Sequence, residues 1–469
     1  MRPASVTGIL LLASTFALAG CGGSSPMIET PPTKPVPPAT SSLQGQVYGG
    51  AQPITGMTLQ LYDAGSAGYG SAATGMLTGT LPTTDSNGNF HFANPSCPNP
   101  SDQLYLVGTG GDPVAGNASN GNSTAANPNL ALMVALGNCS GLSTLARLHM
   151  NELTTVAAVW AIAPFMSGTT QAFQNIGTSA NNALGLQLAF QAAQQVANIS
   201  TGTFPGTLPA NATLPTDELN TIADVLEACI NSKGGTANDG STPCGSLFGD
   251  APATGGGFPA DVITAAMNIA QNPAQNVAAL FNLASPTGAF QSELGSAPHA
   301  WTVAIQYTGG GLNAPTAIAT DQSGNVWVTN SDSLSPSVSQ FSNAGVPTAS
   351  FGTNGASLAA APGGIAIDLT GNAWITIPSN NSAVEVSSSG SVVKTVTDSS
   401  IGLNDPTSIA IDGGGNIWVV NSASGANSVS AFDGSGTKLT NSPFSGGGIS
   451  SPVAIAINGN ANANCSDCH

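Results

Sequence analysis

The sequence predicts a multidomain chain: a small β-sandwich, an α-helical middle domain, and a partial β-propeller with three complete blades and a truncated fourth. Three observations point that way. Residues 43–124 alternate apolar and polar positions at the period of strands, and residues 125–300 change to the spacing of helices. Residues 301–469 repeat one phrase every 44 to 47 residues, the length of a four-stranded blade. A leader over 1–20 and a Pro-rich tether over 21–42 precede them. Of the 469 residues, about 450 remain once a leader is removed, enough for two to four domains with sizeable cores.

The leader comes first. Arg2, an apolar run from Val6 to Leu18, and then Leu18-Ala19-Gly20-Cys21 have the shape of a secretion signal whose small residues admit a peptidase. The run is shorter than the roughly 20 residues that cross a bilayer. These residues resemble the lipobox of bacterial lipoproteins. That resemblance implies that Cys21 becomes the mature N-terminus and carries lipid on its thiol and amine. Gly22, where an aspartate would imply retention at the inner membrane, implies the outer one. The alternatives are an uncleaved anchor or a soluble secreted protein. Pro26, Pro31, Pro32, Pro35, Pro37 and Pro38 then keep the chain extended as a tether.

Only 6% of the residues are charged, so solubility rests on hydroxyls and amides. Twenty-three acids face six bases, Arg2, Lys34, Arg147, Lys233, Lys394 and Lys438, for a net charge of -17. No basic patch forms, which excludes nucleic acid as a partner. In an oxidising envelope Cys97 with Cys139, and Cys229 with Cys244, are natural disulfide pairs; free buried thiols or another connectivity are the alternatives.

In the sandwich region Leu43 to Tyr48 alternate, Pro53-Ile54-Thr55-Gly56 turns the chain, and Met57, Leu59 and Leu61 alternate with polar neighbours. Asp85-Ser86-Asn87-Gly88-Asn89-Phe90 turns it again, and Leu104 to Val107 read as a buried strand. The pattern resembles small prealbumin-like sandwiches, including carboxypeptidase regulatory modules, whose role is structural. The helical region opens at Leu130 to Leu136. It continues with Asn151 to Ile162, ended by Pro164, and with Ala183 to Val196. Thr216 is expected to cap a helix over Glu218 to Cys229, Pro259 to start one over Ala260 to Ala270, and Pro273 to start another ending near Leu283. His149 and Glu152, at i and i+3, read as an ordinary surface pair or a satisfied polar contact rather than a catalytic acid and base.

In the last region Pro315, Pro362, Pro406 and Pro452 recur at 47, 44 and 46 residues, and Trp327, Trp374 and Trp418 at 47 and 44. Each complete copy carries a small apolar strand ending in Asp321, Asp368 or Asp412. A Gly-Asn turn and a strand with the tryptophan follow. The first strand suits a crowded channel wall, and the tryptophan can fill the space between blades. The fourth copy, Pro452 to Ile457, is followed by Asn458 where the others have Asp. An incomplete array leaves open edges, of which Trp301 to Tyr307 could cover one.

These phrases resemble NHL-type repeats, including the streptogramin B lyase-like (virginiamycin B lyase-like) branch. The resemblance implies, for that branch, elimination with a histidine base, a glutamate and magnesium. The chain departs from it: His91, His149, His299 and His469 all lie outside complete blades, and Glu385 is the only glutamate in the repeats, read as facing outward. The repeated aspartates read as acceptors in hairpin turns rather than as a calcium ring. Cys465-Ser466-Asp467-Cys468-His469 spells C-x-x-C-H, which resembles a c-type haem attachment site, but no helix or apolar shell surrounds it. The expectation is therefore a cell-envelope lipoprotein that binds or scaffolds through its repeats, with no catalytic residues, cofactor or metal. Its partners are the membrane through the lipid and an unidentified protein or glycan at the cell surface. A lyase-like enzyme and an electron carrier through the terminal C-x-x-C-H are the alternatives.

Overall fold

The structure, a computed structural model, describes residues 42–113, 126–284, 288–352 and 355–457. The leader, Cys21, most of the tether, and Cys465, Cys468 and His469 lie outside the described residues.

The alternating segments near the start form two sheets. In the first, β1 (Ser42–Gly49) pairs with β2 (Gln52–Pro53) and antiparallel with β5 (Asn89–Ala93), and on its other edge parallel with β8 (Leu148–Met150). In the second, β4 (Thr74–Gly75), β3 (Thr58–Asp63), β6 (Gln103–Thr109) and β7 (Ala131–Asn138) lie in that order. Alternation puts Leu43 and Val47 of β1 inside, and Leu59 and Leu61 of β3 likewise. The sheets approach closely at Gly108, where an added Cβ would meet Met57 and Met150.

Leu130 to Leu136, read from the sequence as the opening of the helical region, form strand β7 instead. The segment is a short apolar run bounded by Asn129 and Gly137, and a strand buried on both faces shows no alternation to distinguish it from helix. One face of the second sheet packs on the first sheet. The other is covered by α1 (Glu152–Ile162) and α2 (Ala183–Val196), with the Thr155 hydroxyl accepting from the Met133 amide at 3.0 Å. One continuous cluster of buried residues therefore runs from Leu43 to Trp301, across the expected boundary at residue 124.

Helix α1 starts at Asn151, whose side chain accepts from the Thr154 amide while the Thr154 hydroxyl accepts from the Asn151 amide. Helix α3 (Thr216–Ile230) begins at Thr216 with Pro215 as its flanking residue, so Thr216 lies inside the helix rather than capping it. Helix α4 (Pro243–Asp250), absent from the sequence reading, is capped by the Thr242 side chain with Pro243 in its first turn. Helix α5 (Val262–Gln271) is capped by Asp261, and α6 (Val277–Phe281) follows. Disulfides join Cys97 to Cys139 and Cys229 to Cys244, the second tying the end of α3 to the start of α4.

Trp301 is buried in this body, its carbonyl accepting from the Trp160 indole at 3.0 Å. Beyond it β10 (Gln306–Tyr307) pairs with β9 (Ala212–Thr213). Trp301 to Tyr307 thus belong to the body and cover no edge of the repeats: an indole of that size gains more from a closed core than from a solvent-facing sheet edge.

Three successive four-stranded antiparallel sheets follow, each a simple meander. They are β11 (Pro315–Thr320), β12 (Val326–Asn330), β13 (Ser337–Phe341) and β14 (Ala356–Ser357); β15 (Ile365–Ile367), β16 (Ala373–Ile377), β17 (Ser382–Val386) and β18 (Val392–Val396); and β19 (Pro406–Ile411), β20 (Ile417–Asn421), β21 (Ser428–Phe432) and β22 (Phe444–Ser445). They stack face to face in the manner of propeller blades. Trp327 packs with Ile365, Ala373 and Ile375 of the second sheet, and Trp374 with Ile409, Ile417 and Phe432 of the third. The tryptophans do fill the space between sheets. Among the described residues no sheet follows Trp418, which is half-buried against Phe444. The fourth copy, Pro452 to Ile457, forms no strand, although the Ile455 amide reaches the Ser408 hydroxyl at 3.3 Å.

Candidate functional site

The repeats build one turn many times. Asp321 Oδ1 accepts from the amides of Ser323 and Asn325 at 2.9 and 3.0 Å, Asp368 Oδ1 from Thr370 and Asn372 at 2.8 and 3.0 Å, and Asp412 Oδ1 from Gly414 and Asn416 at 2.9 Å each. Gly324, Gly371 and Gly415 take positive φ, where a side chain would be strained. The same turn occurs outside the repeats at Asp85, with the amides of Asn87 and Asn89, both at 2.8 Å, and again inside the third sheet after β21 at Asp433, with those of Ser435 and Thr437, both at 2.9 Å. An aspartate whose oxygens are filled by its own turn is a structural acceptor. Asp321 and Asp412 also hold their tryptophans, accepting from the indole nitrogens at 3.3 and 2.9 Å. Among the described residues no group of three or more His, Cys, Asp or Glu side chains is arranged to hold a metal ion.

Glu385, expected to face outward, is 9% exposed. It accepts from the Asn372 amide group at 2.8 Å and pairs with Lys394 at 3.6 Å. Lys394 lies 5.7 Å from the centre of the Trp374 ring and donates to the Gly434 carbonyl at 2.5 Å, so the pair bridges the second and third sheets. Strand β17 is buried on both faces by its neighbours, which is why alternation could not locate this side chain. His91 lies on β5, His149 on β8 and His299 in the body after α6, all outside the three sheets.

Of the two readings of His149 and Glu152, the surface pair is corrected, while Glu152 does make a polar contact, accepting from the Gly50 amide at 2.9 Å. His149 sits on a strand and stacks on Tyr48 with ring centres 5.1 Å apart, and burial followed by the Arg147 charge pulls its pKa down. Glu152 is fully buried at the first turn of α1, because α3 closes over that helix end. Burial pushes its carboxyl well above the usual range.

Sequence reasoning missed one device. Asn330 donates to the Ser337 and Ser339 hydroxyls at 3.2 and 2.9 Å, and Asn421 to Ser428 and Ser430 at 3.0 and 2.9 Å. The repeated spacing of an asparagine with serines seven and nine residues on was the available signal. The second sheet has the buried Ile377 at that place.

Two surfaces of the repeats offer binding space. A polar cleft of about 330 Å³ lies between the turns of the first two sheets, lined by Asp321, Ser323, Asn325, Gln340, Leu369 and Thr370. The first strands of the sheets, expected to line a crowded wall, are largely open on β11, where Ile318 is 68% exposed. Three sheets do not enclose those strands.

No family model matches this chain, and no curated protein matches it. Solved structures similar to part of it include a virginiamycin B lyase from Staphylococcus aureus, 20% identical, covering 28% of this chain and 43% of that one with a TM-score of 0.23. A streptogramin B lyase structure is 16% identical, covering 30% and 44% with a TM-score of 0.25. A protein of unknown function from Bacteroides caccae is 16% identical, covering 28% and 50% with a TM-score of 0.23. This chain spans half or less of the length of each.

Proposed function

We propose that this chain is a lipid-anchored protein of the bacterial cell envelope that binds or scaffolds a surface protein or glycan through three propeller-like blades and the beginning of a fourth. The observation that carries the reading is the open first strand β11, where Ile318 is 68% exposed. Ile318, set between Ala317 and Ala319 on that strand, leaves apolar area in water that a partner would cover. The leader and Cys21 supply the location, and the Pro-rich tether supplies reach. No helix among the described residues is long and apolar enough to cross a membrane, so on this reading attachment rests on the leader alone.

The test places a photoreactive residue at Ile318, with Leu334, 93% exposed on the loop between β12 and β13, as control. In intact cells one discrete adduct from position 318 and none from position 334 supports the proposal. Equal labelling at both positions refutes it.

A further inference from the structure

One side of α3 is an unbroken polar ladder. Residues 288–294 lie along it as a strap, held at every turn of the helix. The Asp217 carboxylate accepts from the Ser292 hydroxyl at 2.6 Å, and the Asn220 amide donates to the Ser292 carbonyl at 3.0 Å. Thr221 accepts from the Leu294 amide at 2.9 Å, Asp224 from the Phe290 amide at 3.2 Å, and Glu227 from the Ala289 amide at 3.1 Å. Spacings of three and four residues put these groups on one helix face.

Beneath the strap three carboxyls crowd together without a base. Glu152 is fully buried; its Oε1 accepts from the Gly50 amide at 2.9 Å and its Oε2 has no hydrogen-bond partner. Asp224 is 2% exposed, and its Oδ2 finds no donor. Glu227 comes so near the turn at Gly50 that a Cβ there would meet its carboxyl oxygen, and a Cβ on Gly288 would meet Asp224. The charges acting on Asp224 are Glu227 and Glu293, and those acting on Glu152 are Glu227 and Asp224. Helices α4, α5 and α6, which also pack on α3, bring only Asp250 as an ionisable side chain. Such a group cannot stay fully ionised while dry.

We propose that Asp224 and Glu227 share one proton beneath the strap, with Glu152 neutral beside them, and that loss of this proton to solvent lifts residues 288–294 from α3. A shared proton supplies the donor that Asp224 Oδ2 lacks. Burial, and then the hydrogen bond to Glu227, hold the Asp224 carboxyl up at about 8. Once ionised the carboxylates need water. Of the other covers of the cluster, α1 belongs to the buried core and the turn after β1 is fixed by the β1–β2 pairing, whereas the strap adds only the partly buried Phe290 and Leu294 to the core and is otherwise held by the ladder. The strap therefore opens, and the Asp224, Glu227 face of α3 becomes accessible above that pH.

Hydrogen exchange on the full chain tests this. After correction for intrinsic rates, the Ala289 and Phe290 amides of the wild type should lose up to about tenfold in protection for each pH unit from 5 to 8, the dependence of a one-proton opening, and level off above 8 where the closed form has released the proton too. The Met133 amide in the core should not change. In Asp224→Asn, whose amide group can donate to Glu227 while its oxygen still accepts from Phe290, protection should stay flat from pH 6 to 9. Glu152→Gln provides a second variant that keeps the Gly50 bond and, exchanging a neutral carboxyl for a neutral amide, should leave the wild-type pH dependence in place. Wild-type protection independent of pH, or an equal loss in Asp224→Asn, overturns the proposal. So does restoration at pH 9 by millimolar calcium, which would make the cluster a cation site instead.

Discussion

Replacing the tryptophans of the three sheets by alanine, one at a time, measures how far each sheet depends on its successor. Trp327 and Trp374 are 0% and 1% exposed, wedged between neighbouring sheets, with Phe351 edge-on to the first at 5.1 Å and Phe432 beside the second at 5.5 Å. A fully buried indole removes about 150–250 Å² from water, worth about 4–6 kcal/mol at ~25 cal/mol per Å². Large aromatic deletions cost about 3–5 kcal/mol in practice. Trp418 lies half-open on Phe444, with its indole nitrogen on Asp412 at 2.9 Å. Roughly half of that practical cost plus one hydrogen bond of about 1 kcal/mol gives a cost of about 2.5–3.5 kcal/mol. Native-state hydrogen exchange of the β12, β16 and β20 amides in the full chain reports the opening free energy of each sheet separately. Trp374→Ala should lower it in both the second and third sheets, and Trp418→Ala in the third alone. Equal losses for Trp374→Ala and Trp418→Ala, or a loss confined to the second sheet in the former, would refute the argument that the tryptophans join consecutive sheets.

Further outcomes can be checked directly. Asp412→Ala removes the acceptor of two turn amides and of the Trp418 indole, and should cost about 2–3 kcal/mol in the third sheet, read by the same exchange experiment, while Asp412→Asn should recover part of it. Double serine replacement of Cys97 and Cys139, bridged across 42 residues, should cost about 4 kcal/mol by chain entropy, and that of Cys229 and Cys244, across 15, about 3; identical urea midpoints with and without reductant would contradict both. Asp63, raised to about 6 by burial and then by Asp102 beside it, and Asp224, raised to about 8, keep protons that the unfolded chain releases near pH 4. Stability should therefore fall as pH rises from 5 to 8, by at most about 1.4 kcal/mol per pH unit for each proton held, and urea unfolding that is flat across that range would deny it. Cys21→Ser should release the protein from the membrane fraction with altered mobility, and unchanged fractionation would remove the lipid anchor from the proposal.

The repeats were legible because each copy repeats the same physical need. Pro, Asp, Gly-Asn and Trp recur at fixed places, and the structure returns a sheet, a turn and a wedge for each. Leu43 to Tyr48 and Met57 to Leu61 were equally plain, since one open face preserves alternation. The run from Leu130 to Leu136 was opaque because burial on both faces erases the period. Helix α4 was missed because Gly245 and Gly249 weaken an eight-residue segment, although Thr242-Pro243 marks its start. Glu152 reads as part of a surface pair or a satisfied polar contact, and nothing in the local sequence marks Asp224 or Glu227. Their burial depends on contacts among α1, α3 and the turn at Gly50, distant in sequence, which no local pattern records.

The position of β1 bears on what happens when such a chain is pulled. If the amino end is held by a tether and the repeats grip something else, load enters the body at Ser42. That residue begins a strand clamped along both edges, by β5 over 42–46 and by β8 over 45–47. Peeling it away means breaking an antiparallel and a parallel ladder together while withdrawing Leu43 and Val47 from the core. The first strand is thus built as a mechanical anchor point that resists unravelling of the body from its amino end.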